Sequence, residues 1–161
     1  MFSLGLTRSL LMAVVALSIA ACTRSRQVRA DDTAFAAMQE RGGMAMGVDQ
    51  YTSAHKFDLT NDGGRIQLQR DKDDSLGVAQ IRAHMKLIQH AFQAGDFSTP
   101  AFVHAHEMPG TQVMSKKRAA ITYSYADLPR GGEVRLTSSD PEAISAIHLF
   151  LQAQRDQHHA Q

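Results

Sequence analysis

The chain has 161 residues, with 17 lysines and arginines against 16 aspartates and glutamates, eight histidines and one cysteine. A net charge of +1 gives no electrostatic case for a nucleic-acid partner, and one cysteine excludes an internal disulfide. The length suits one domain around one core.

The N-terminus reads as an address. Arg8 stands before an apolar run from Leu10 to Ile19. That run is too short for a hydrocarbon core, which needs about twenty residues, and fits a secretion signal. Ile19-Ala20-Ala21-Cys22 is a small-residue cleavage site ending in cysteine, and it resembles a bacterial lipobox. The resemblance implies a signal peptide over 1–21, cleavage before Cys22 and a lipid on Cys22. Ordinary signal peptidase cleavage, leaving Cys22 as a spare thiol, is the alternative. Thr23 follows, rather than an aspartate, which implies the outer membrane over the inner, facing the periplasm. Losing residues 1–21 removes only Arg8, so the remaining charge is zero. Residues 22–50 read as a tether: Arg24, Arg26 and Arg29, a short helix from about Asp32 to Arg41, then small residues through Gly47.

Order is expected from about Tyr51. His55, Phe57 and Leu59 alternate with Ala54, Lys56 and Asp58, the period of a half-buried strand. Asn61-Asp62-Gly63-Gly64 carries turn chemistry, and Ile66 and Leu68 continue a second strand. Ile81, His84, Met85, Ile88 and Phe92 then form one stripe of a helix over about 76–94, with Gly95 as its stop. Residues 97–117 show no clean period. The first order then recurs. Ile121, Tyr123 and Tyr125 alternate; Pro129-Arg130-Gly131-Gly132 turns the chain; Val134 and Leu136 form the next strand. Ser139 or Asp140 caps a helix with Pro141 at its first position and an apolar stripe of Ile144, Ile147, His148 and Leu151. Laying Gly63-Gly64 on Gly131-Gly132 pairs His55 with Tyr123 and Ile66 with Val134, a period of 68 residues from 63 to 131. The predicted fold is α+β: a four-stranded antiparallel sheet with both helices on one face, built from a duplicated strand-turn-strand-helix unit. It fills residues 51–157, with 158–161 a tail.

Histidines carry the chemistry. His55 falls on the inward face of the first strand, and His84 and His148 on the apolar helix stripes. His104-Ala105-His106-Glu107-Met108 lies in the unpatterned connector, while His90, His158 and His159 read as peripheral. Neutral imidazole binds copper, zinc, iron or nickel, and thioether sulfur favours Cu(I). A lipid on Cys22 leaves no free thiolate, so soft ligands fall to methionine. His55, His84, His104 and His148, with Met108 behind them, are the candidate ligands for copper or zinc. The Met44-Ala45-Met46 pair is a further His/Met-type element. Against this stand the common roles of such residues: a histidine hydrogen-bonded in a core, a methionine filling one. No G-x-S-x-G elbow, HExxH, calcium loop or phosphate loop is present. No catalytic residue is assigned.

The segments MGVDQYTSAHKF, DGGRIQLQRD, QIRAHM, AGDF, VHAHEMPGTQVM and GGEVRLTSSDPEAISAIHLFLQAQRDQH, in that order, resemble a family of small, uncharacterised, exported bacterial proteins over residues 47–159. Some members carry an automatic label of aspartate carbamoyltransferase. This chain gives that label no support: it lacks the Ser-Thr-Arg-Thr phosphate loop and the four zinc-binding cysteines of that enzyme's two chain types. Two expectations result. One is an envelope lipoprotein that binds a transition metal through histidine and methionine. The other is a non-enzymatic lipoprotein scaffold that docks an envelope partner, with core histidines and no metal.

Overall fold

The computed structural model describes residues 32–158; the signal segment, Cys22 and His159 lie outside them. Its elements are α1 (32–46), a 3-10 turn Gln50–Thr52, β1 (Ser53–Thr60), β2 (Gly63–Arg70), α2 (Ser75–Ala94), α3 (Ser98–His104), α4 (Thr111–Lys116), a second 3-10 turn Arg118–Ala120, β3 (Ile121–Leu128), β4 (Gly131–Ser138) and α5 (Pro141–Gln157). The fold is the predicted α+β class, a four-stranded antiparallel sheet in the order β1-β2-β4-β3. No helix among the described residues is long and apolar enough to cross a membrane.

Alternation dictates which face of the sheet is covered. Phe57, Ile66, Leu68, Tyr123, Val134 and Leu136 are buried on one face, against the stripe of α2 and the stripe of α5. The other face carries Asp58, Arg65, Gln67 and Glu133, linked by the Arg65–Asp58 pair at 2.8 Å and the Gln67–Glu133 hydrogen bond at 2.6 Å. Each helix lies mainly over the other unit's hairpin: α2 over β3 and β4, α5 over β1 and β2. Phe92 and Phe150 meet edge to face at 5.8 Å where the helices approach, and Phe97 stacks on Phe92 at 4.5 Å.

The two halves repeat one unit. Every strand boundary recurs 68 residues on, 53 at 121 and 63 at 131, and so does the 3-10 turn, 50 at 118. Along the central pairing, Ile66 faces Val134, its own counterpart, so the local twofold passes through that pair; Gly64↔Leu136 and Leu68↔Gly132 mirror each other across it. The helices recur at 66, because the connector before α5 is shorter. Asp74 caps α2 by accepting from Gly77 N, and Asp140 caps α5 by accepting from Ala143 N, 66 residues on. That offset pairs His148 with Arg82, not with His84, and both counterparts reach equivalent carbonyls: Arg82 donates to Leu128 O at 2.7 Å, and His148 Nε2 meets Thr60 O at 2.9 Å.

Three differences from the sequence reading have physical causes. First, the paired glycines stand in β2 and β4, while Asn61-Asp62 and Pro129-Arg130 make the turns. A Cβ on Gly131 would overlap the Leu68 carbonyl oxygen, and one on Gly63 the Leu136 carbonyl oxygen. The glycines are there chiefly because two backbones pass close across the twofold. Second, order begins before Tyr51: α1 spans 32–46, and Met46 and Val48 join the core. Third, the connector at 97–117 contains α3 and α4. Its helices of seven and six residues each bury one short stripe, Pro100, Val103 and His104, then Thr111 and Met114, too few turns for a long period to show.

Candidate functional site

Between α2 and α5, above β1 and β2, a cavity of about 60 Å³ is lined by apolar side chains, four histidines and Met46. Each histidine arrives on a different element. His55 comes from the inward face of β1, where it stacks on Phe57 at 5.7 Å. His84 comes from the α2 stripe, between the buried Ile81 and Ile88. The last turn of α3 supplies His104, only 6% exposed, and the C-terminal cap of α5 supplies His158. Ring centroids lie 4.6 Å apart for His55–His158 and 5.0 Å for His104–His158.

The rings of His55, His84 and His104 are held neutral at physiological pH. Burial, then the neighbouring His84 and His104, pulls His55 down to about 4, and burial pulls His84 down to about 4. Burial also lowers His104, against two glutamines that raise it. For His84 the backbone of Ala45 works against that burial and pulls the other way. His104 is bracketed, with Nδ1 2.6 Å from Gln157 Oε1 and Nε2 2.8 Å from Gln154 Oε1. A neutral ring carries one N–H, so one of those amides turns its nitrogen to the ring.

The roof over the cavity is α3. It is pinned by Arg41 of α1, whose Nε donates to Val103 O at 2.8 Å, and by His104 on α5. Outside lies a second, polar groove of about 490 Å³, lined by Gln39, Gln50, Gln67, Gln69 and Arg70 among others; it meets the inner cavity at His55 and His158 alone. Gln50 is 6% exposed, and its Oε1 is a buried oxygen without a hydrogen-bond partner.

Of the candidate ligands, the structure brings together His55, His84 and His104. His148 sits on α5 against Thr60 O, and Met108 is 2% exposed in the core with its carbonyl bonded to Thr111 Oγ1 at 2.7 Å; neither reaches the cavity. A helix stripe identifies which residues turn inward, but not which inward neighbours they meet. Met46 and His158 do reach it: Met46 belongs to the His/Met-type element read from the sequence, though in a segment that reads as a tether, and His158 lay hidden at a terminus that reads as a tail. Among the described residues, no three His, Cys, Asp or Glu side chains stand in a metal-holding arrangement as the rings are now turned. A drug-sized ligand takes about 300–1,000 Å³, so the cavity suits an ion or a very small molecule.

The fold and cavity define a two-layer α+β protein of repeated strand-turn-strand-helix units with a histidine-lined cavity between its layers. Compared with family models, curated proteins and solved structures, the chain finds no match.

Proposed function

We propose that this protein is a periplasm-facing lipoprotein that binds a transition metal, copper before zinc, in the inner cavity. One observation carries the reading: His55, His84, His104 and Met46, from four separate segments, converge on one small and mainly apolar space. Thioether sulfur selects Cu(I), and neutral imidazole suits copper as well as zinc. Ligation needs rotation of the rings about χ1 and χ2, and at His104 the exchange of one glutamine contact. His148 and Met108 drop out of the ligand set on distance from the cavity.

Titrating the purified chain with Cu(I), Cu(II) and Zn(II) tests this. One equivalent of Cu(I) should raise Tm, because a ligand that binds only the folded state stabilises it. His84→Ala should cut the shift, and His148→Ala should leave it intact. No shift in the wild type removes the metal. The anchor has its own test: Cys22→Ser should abolish labelling with radioactive palmitate and release the protein from the membrane fraction.

A second reading, the metal-free scaffold, draws on a different observation. Leu87 and Phe102 are 68% and 51% exposed beside a groove that also touches His84. In that reading the histidines tie elements together, as His148 ties α5 to β1, and an envelope partner covers the groove.

A further inference from the structure

The outer groove, of about 490 Å³, has the size of a small-molecule site, about 300–1,000 Å³. Its lining is mostly polar. Lys56, Arg70 and Arg130 stand there against one carboxylate, Asp71, so the groove favours an anion. Two of the three cations are already engaged. Lys56 pairs with Asp58 at 3.2 Å. Arg70 pairs with Asp74 at 3.1 Å, and its Nη1 donates to Thr52 Oγ1 at 2.8 Å and Ser53 Oγ at 3.0 Å. Arg130 differs. Its backbone is bonded, N to Gln69 Oε1 at 3.4 Å and O from Arg70 N at 2.9 Å, but among the described residues its guanidinium has neither a hydrogen bond nor an ion pair.

The amides of the lining are left half used. Gln50 Nε2 donates to Val48 O at 2.8 Å, which fixes that amide and leaves Oε1 as the buried acceptor without a partner. Gln67 Nε2 donates to Glu133 at 2.6 Å and leaves its oxygen over. Gln69 is the reverse, since its oxygen takes the Arg130 N–H and its nitrogen is left over. Spare acceptors and a spare donor beside one unengaged guanidinium match a ligand with several hydroxyls and one carboxylate. A hydroxyl both donates and accepts, and a carboxylate takes two guanidinium N–H groups at once. We propose that the groove binds a sugar acid, with its carboxylate on Arg130 and its hydroxyls on Gln50, Gln67, Gln69 and Asp71. A buried acceptor left unmet is costly, and a ligand hydroxyl supplies the donor that Gln50 lacks. This site lies outside the inner cavity and does not depend on the metal reading.

Isothermal titration of the full, metal-free chain tests this, with D-glucuronate, D-galacturonate, D-glucose, acetate and inorganic phosphate as probes. At least one of the two sugar acids should bind one to one, about tenfold or more tighter than glucose, acetate or phosphate, because only the acids meet the cation and the amides together. Arg130→Gln alters an exposed side chain, so Tm should stay at the wild-type value while that acid binds about tenfold or more weakly, the loss of one charge-assisted pair. Gln50→Met removes the amide at similar length and should weaken the same acid. Binding of neither acid would overturn the proposal. Acetate or phosphate binding as tightly as the acids would reduce the groove to a simple anion site and overturn it too, as would wild-type affinity in Arg130→Gln.

Discussion

A single Cβ decides several positions in this molecule. Gly131 lies where β4 passes β2, and an added methyl would overlap the Leu68 carbonyl oxygen. Gly131→Ala should therefore cost about 3 kcal/mol, the upper end of overpacking penalties, read as a lower midpoint in urea. Gly43 is the contrast. It lies inside α1, and a Cβ there would meet only Val48 O, at 3.7 Å. Gly43→Ala should stabilise by about 0.5–1 kcal/mol, the usual helical gain over glycine. Both residues look alike in the sequence, as members of Gly-Gly pairs. The difference lies in what faces them, which no local pattern encodes. The histidines teach the same point. The stripe of α2 correctly turned His84 inward and that of α5 turned His148 inward, yet one meets a cavity and the other a backbone carbonyl.

Capping residues set where the elements begin and end; Asp140, Pro141 and Gly95 were legible, while the Asp74 cap of α2 was not read from the sequence. Asp74 and Asp140 sit at the starts of α2 and α5, Pro141 opens α5, and Gly95 ends α2 at φ +82°. Asp74→Ala should cost about 1 kcal/mol, the usual loss of an N-cap, and should also release the Arg70 pair at 3.1 Å. Asp140→Ala should act in the same direction, since it removes one of the two carboxylates on Lys117, leaving Glu142, as well as the cap; chemical denaturation of each variant checks both. A cap resting on solvent alone would leave stability unchanged. Less legible were α1, α3 and α4. Glycines at 42 and 43 weaken the helical signal of α1, and α3 and α4 are too short to show a period. These weakly signalled helices supply Met46 and His104 to the cavity.

Across the whole molecule, the half-buried histidines couple stability to pH. His55 and His84 titrate near 4 in the fold against an ordinary 6.5. Between those values the unfolded chain binds protons that the folded chain refuses, so folding stability is full above about 6.5 and falls as pH drops toward 4. Each histidine contributes a slope of about 1.4 kcal/mol per pH unit in that window. Urea midpoints at pH 7, 6, 5 and 4.5 should fall in step. Stability that is level from pH 6.5 to 4.5 would mean that the two rings are solvated in the folded protein. Bound Cu(I) should oppose the loss, since it competes with protons for the same nitrogens.

Sequence by itself determined the strands, the two long helices, the cap of α5, the glycine stop of α2 and the 68-residue repeat, because each rests on short-range physics: alternation, the 3.6-residue stripe, a cap three residues from its partner. It also supplied the inward direction of His55 and His84. Only the tertiary structure decided that β2 and β4 meet about a twofold through Ile66 and Val134, that each helix crosses to the other unit's hairpin, and that α3 roofs the gap between them. Those are long-range contacts. They depend on how two layers bury the most apolar surface together, and that sum brings His55, His84, His104 and His158 to one cavity while leaving His148 outside it.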